Sequence, residues 1–130
     1  MRIDSSQNTL VKGALRSDSA TAGVGYATGA GGTVAQASSR TTGVTINKVC
    51  GTITLVSAAG SATYQTFTVT NSAVAATDKP HVVQKSGTDK YLIHVTNVQA
   101  GQFDVTFATT GGTTTEQPVF TFAIEKAVAA

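Results

Sequence analysis

The chain has 130 residues, of which only 12% are charged, with a net charge of +2 and a single cysteine. That length suits one domain with one core. A balance this weak, with Lys and Arg spread thinly, argues against a nucleic-acid binder, which needs a clustered basic face. One cysteine rules out a disulfide-stapled scaffold. About a quarter of a typical soluble protein is charged, so this surface must be neutral and rich in hydroxyls. Few charges give weak protection against association, which points to a subunit that self-assembles or lies on a larger assembly.

Residues 1–20 are polar, with Arg2, Lys12 and Arg16 set against Asp4 and Asp18. Their apolar positions, Ile3, Leu10, Val11 and Leu15, are too sparse for an amphipathic helix. The segment is expected to be an extended N-terminal arm that orders by lying across a partner. It holds no apolar signal-peptide core, and no stretch is long and apolar enough to span a bilayer. Synthesis in the cytoplasm and no membrane partner are therefore expected.

Next comes a run of small residues, Ala22-Gly23-Val24-Gly25-Tyr26-Ala27-Thr28-Gly29-Ala30-Gly31-Gly32-Thr33-Val34-Ala35-Gln36. It has too much glycine for a helix and too little charge for a flexible tail. Its spacing is GxGxxxG rather than GxGxxG, and nothing after it opens a helix, so a dinucleotide-phosphate cradle is not expected. Glycines let a backbone pass close to another surface. Gly23, Gly25, Gly29, Gly31 and Gly32, with Tyr26 as an anchor, are candidate contacts to a sister subunit or partner.

From there the chain reads as short strands broken by turn residues. Strands are predicted over 24–27, 33–36, 43–47, 52–57, 64–71, 81–84, 91–97, 103–109 and 119–126. Several alternate with period two: Phe67 and Val69 against Thr66, Thr68 and Thr70; Phe103, Val105 and Phe107 against Asp104 and Thr106; Phe120, Phe122 and Ile124 against Thr121, Ala123 and Glu125. Gly, Pro, Asp and Ser punctuate the breaks, as at Ala59-Gly60-Ser61, Asp78-Lys79-Pro80 and Ala100-Gly101. The expected fold is all-β: an antiparallel β-barrel or jelly-roll-like sandwich over residues 21–130, with residues 1–20 as the arm. The outward faces are rich in Thr rather than Lys and Glu. Edge strands with few charges are sticky, which favours a ring, most simply a homotrimer.

Catalytic chemistry finds no footing. His81 and His94 lie on separate predicted strands without carboxylate or thiolate spacing around them, so no metal site is expected. There is no GxSxG nucleophile elbow, and the carboxylates are scattered rather than paired. Cys50, in a strand-like context, is expected to be a small buried core residue. The chain is expected not to be an enzyme and to need no cofactor.

The string 17–36 resembles a segment of small proteins from tailed bacteriophages and prophages. The likeness continues through Ser39-Arg40-Thr41-Thr42-Gly43-Val44-Thr45, Lys48-Val49-Cys50-Gly51-Thr52-Ile53-Thr54 and Phe67-Thr68-Val69-Thr70-Asn71-Ser72. It closes at Pro118-Val119-Phe120-Thr121-Phe122-Ala123-Ile124-Glu125-Lys126-Ala127. That family is similar to head-associated virion proteins and to modules of phage fibres and spikes. The resemblance implies a structural role in a virion and brings no catalytic residues with it. The expected function is a capsid decoration (cement) protein on the outer surface of the head, with the major capsid protein as partner. Arg2, Lys12, Arg16 and the 23–36 segment are its expected contacts. The alternatives are a receptor- or glycan-binding module of a fibre, recognising through loops 86–90 and 111–116, and an adaptor at the tail.

Overall fold

The computed structural model describes Arg2, Ile3 and residues 9–128. Every regular element among them is a strand, in the order β1 (Arg2–Ile3), β2 (Thr9–Leu10), β3 (Gly31–Ala35), β4 (Val44–Thr45), β5 (Cys50–Thr54), β6 (Ala58–Ala59), β7 (Gln65–Thr70), β8 (Lys79–Ser86), β9 (Tyr91–Gln99), β10 (Gln102–Thr109), β11 (Thr115–Glu116) and β12 (Val119–Glu125). All predicted strands except 24–27 overlap an observed one. Among the described residues, no helix is long and apolar enough to cross a membrane.

Two four-stranded sheets build the body, ordered β3-β5-β12-β8 and β4-β7-β10-β9, with β6-β11 and β1-β2 as separate small pairs. Neither four-stranded sheet closes on itself, which corrects the expected barrel. The expected all-antiparallel, jelly-roll-like pairing is corrected too, because β3 runs parallel to β5 and β4 parallel to β7. The reason lies in how the chain travels. It alternates between layers, placing β3 in one sheet, β4 in the other and β5 back in the first, so successive strands of one layer can share a direction.

The two layers meet over a core of alternating side chains. Phe67 and Val69 from β7, Phe103, Val105 and Phe107 from β10, and Phe120, Phe122 and Ile124 from β12 are all buried, as their period of two predicts. Phe107 lies edge-on to Phe120 at 5.5 Å between ring centroids, and Phe103 faces Phe122 at 5.7 Å, so aromatic pairs join the layers. Burying each such ring contributes about 1.5–3 kcal/mol. Cys50 is half-buried rather than part of this core.

At one corner, where β8 turns into β9, the ladder gives way to a side chain. Gln84 Nε2 donates to the Asp89 carbonyl at 2.7 Å, and its Oε1 accepts from the Tyr91 amide at 3.1 Å. The carboxamide therefore satisfies backbone groups where the two sheets diverge, a place where a barrel would have continued its strand pairing.

Candidate functional site

The arm is not wholly irregular, since Arg2–Ile3 pairs antiparallel with Thr9–Leu10. Residues 11–30 then form no strand, and Lys12 and Arg16 are exposed. The side chain of Arg2 lies outside the described residues. Apolar side chains also face solvent along this stretch: Leu10 is 57% exposed, Leu15 67% and Val24 76%. Leu10, Leu15 and Val24 are thus apolar side chains left in solvent along the stretch before β3.

The glycine-rich run crosses the outer face of the β3-β5-β12-β8 sheet. The Tyr26 hydroxyl donates to the Ile124 carbonyl and latches the segment over β12. A shallow groove of about 390 Å³ opens there, bounded by Val24 and Tyr26 on one side and by His81, Ala123 and Glu125 on the other. His81 Nε2 and Glu125 Oε2 form an exposed pair at 2.9 Å, and the hydrogen bond from His81 holds the Glu125 carboxyl below its ordinary range. Tyr26 therefore anchors the run to its own chain, while about half of its surface stays exposed.

The glycines of this run divide by role. Gly29 sits at φ 93° and makes the turn that leads into β3. Gly31 and Gly32 lie within β3, against Cys50 and against Lys48 and Ile46. Gly23 and Gly25 have open space where a side chain would project. The 24–27 segment falls outside any ladder because it crosses a sheet face rather than lining up along an edge.

A dense polar cluster surrounds Arg40, which is only 3% exposed. Its Nε donates to the Val56 carbonyl at 3.1 Å, and its Nη2 donates to the carbonyls of Ala58 at 2.5 Å and Glu116 at 2.8 Å. Its Nη1 donates to the Tyr91 hydroxyl at 3.1 Å, which in turn donates to Glu116 Oε1 at 3.3 Å. Burial pushes the Tyr91 phenol up, against the opposing effect of Arg40. Sequence reasoning missed this hub. Its one signal was a lone arginine between hydroxyl residues in a chain with few charges.

Loops 86–90 and 111–116, predicted as separate recognition tips, are tied together at one end of the body. The Glu116 carboxylate accepts from the amides of Thr88 and Asp89, the latter at 2.9 Å. The Thr88 amide is the main cause of a Glu116 carboxyl held below its usual value, with burial working against it. Asp89 Oδ2 accepts from the Thr114 amide at 2.9 Å. The backbone at Gly60 and Gly112 passes so close to the Asp89 carboxylate that a Cβ at either position would collide with it.

The other sheet presents a face of hydrogen-bonded threonines. Thr106 Oγ1 lies 2.8 Å from both Thr66 Oγ1 and Thr96 Oγ1. Beside them the exposed Tyr64 ring packs on His94 at 5.8 Å between centroids. His94 therefore lies on the outer face of one sheet and His81 on the outer face of the other, too far apart to share a ligand. Among the described residues no three His, Cys, Asp or Glu side chains gather as a metal site would require. Comparison with protein-family models, with curated proteins and with solved structures finds no match to this chain.

Proposed function

We propose that this protein is a structural subunit of a tailed-phage particle, a decoration (cement) protein held on the outer surface of the head. The observation that carries this reading is the exposed segment 9–30, which presents Leu10, Leu15, Val24 and Tyr26 to solvent beside Lys12 and Arg16. The resemblance of residues 17–127 to head-associated phage proteins, which does not extend to residues 1–16, supports the major capsid protein as the surface to be covered. The body serves as a stiff platform, closed at one end by the Arg40 and Glu116 contacts. The arm and the glycine-rich run supply adhesion.

The mechanism is avidity. One arm offers a few apolar side chains and two cations, a modest contact. Several arms joined through a self-associated body must release together, so the assembly holds a head more tightly than any single arm. The test uses heads lacking the protein and measures rebinding by co-sedimentation. A double Lys12→Glu, Arg16→Glu variant should bind markedly more weakly while keeping its thermal melt. Binding equal to wild type would defeat the arm reading.

A second reading is favoured by the exposed Tyr64 ring beside the threonine face. Aromatic rings flanked by hydroxyls suit sugar faces, as a receptor-binding module would need. A glycan array with hits that vanish in Tyr64→Ala would support it, and an array without hits would count against it.

A further inference from the structure

The outer edge of β3 carries no guard against strand addition. β3 is the outermost strand of its sheet, and its inner partner is β5. The Gln36 amide donates to the Thr54 carbonyl at 3.0 Å, which fixes the phase of this parallel ladder. Residues 32, 34 and 36 turn both backbone groups toward β5. Gly31, Thr33 and Ala35 therefore turn their N–H and C=O away from the sheet, and all three residues are exposed.

The opposite edge is treated differently. β8 carries Lys79, Pro80 and Lys85, the residue types that block strand addition, and the Gln84 side chain bridges it to β9. β4, the edge strand of the second sheet beside β3, is only two residues long. β9, the other edge of the second sheet, also lacks charge and proline, but it packs beside β8. β3 has neither a device of its own nor such a neighbour on its outer side among the described strands. It contains no charge and no proline, and its residues, Gly-Gly-Thr-Val-Ala, are small enough to admit another backbone.

We propose that the outer edge of β3 is the pairing site for a second copy of this chain. Two β3 strands meet antiparallel about a two-fold axis at Thr33. The three outward residues are spaced evenly about Thr33, so the edge is its own complement: Thr33 faces Thr33 of the second copy, and Gly31 faces its Ala35. Each facing pair exchanges both backbone hydrogen bonds, and the two four-stranded sheets become one continuous sheet. With no like charges on the strand, nothing on it opposes the approach. An interface of this kind closes at two copies, not the three expected from composition. The pairing concerns the free protein and does not depend on the virion reading.

Light scattering on the eluting full-length protein, from about 1 to about 100 μM, tests it. The mass should rise with concentration from the 13.2 kDa of one chain to twice that value. Thr33→Pro removes one outward N–H and leaves the ladder to β5 whole, so it should fold and weaken pairing by roughly tenfold or more. Ala35→Lys places a charge on the same edge with no backbone change, and it carries the test if the proline variant does not fold. Amide exchange at Gly31, Thr33 and Ala35 should slow as pairing proceeds. A wild-type protein that stays monomeric, a three-fold mass, or variants that pair as well as wild type would each overturn the proposal.

Discussion

Replacing Arg40 by alanine should cost about 4 kcal/mol of folding stability. The figure follows from what the guanidinium touches. Val56, Ala58 and Glu116 lose a donor to their carbonyls and Tyr91 loses one to its hydroxyl, all within 3.1 Å in the native structure. At about 1 kcal/mol for each orphaned acceptor, after discounting for water that enters the vacated space, this comes to roughly 3–4 kcal/mol. Lost packing of the aliphatic stem, together with loss of the guanidinium from the Tyr91 ring, 5.8 Å from its centroid, adds about 1 kcal/mol. Arg40→Lys should cost about half as much, because an ammonium donates from a single point and cannot span Val56 and Glu116 together. Arg40→Met keeps most of the stem, so it isolates the polar part. Urea unfolding reads all three. With a slope of about 2 kcal/mol/M, the alanine variant should move the midpoint down by about 2 M without changing the slope. A loss under about 1 kcal/mol for alanine would refute the hub and leave Arg40 as a solvated surface arginine.

Acid should unfold the protein through its tied carboxylates. Asp78 is held below its ordinary pKa of 3.8 by the Ala75 amide first and Lys126 second, and Glu116 and Glu125 lie below 4.5 for the reasons given above. Because the folded values are depressed, their stabilisation is full above the unfolded pKa and is lost as pH falls through the folded one. Glu116→Gln should be less stable than wild type near neutrality, and the gap should narrow toward about pH 3. Parallel urea midpoints at every pH would reject this linkage. Gly112→Ala, forced against Asp89, should lower stability by more than about 1 kcal/mol, whereas Gly25→Ala, with open space around it, should leave the melt unchanged. Equal melts for the two would contradict the close approach at Gly112.

The core was legible in the sequence because it rests on a local rule. Phe103, Val105 and Phe107 alternate with polar residues, and a period of two puts them on one face whatever sheet they join. The same rule located β7 and β12. It says nothing about partners. The parallel pairings of β3 with β5 and of β4 with β7 depend on a chain path that switches layers, and no periodicity encodes that. The segment 24–27 shows the complementary limit: its residues suit a strand, but a strand needs an edge to pair with, and Tyr26 ties this segment across a sheet face. The contacts of Arg40, Tyr91, Glu116 and Asp89 were hidden for a related reason. They come from three separate stretches of chain, and only the fold brings them within hydrogen-bonding reach. Of the expected contact residues, Lys12, Arg16, Gly23 and Gly25 lie on open surface, while Gly31 and Gly32 are part of a sheet edge.

The central claim is that this protein covers a phage head, and the most direct measurement is its copy number in purified particles. Quantitative mass spectrometry against the major capsid protein gives the ratio. A decoration protein should approach the abundance of the capsid protein itself. A handful of copies per particle, or none, would contradict the claim.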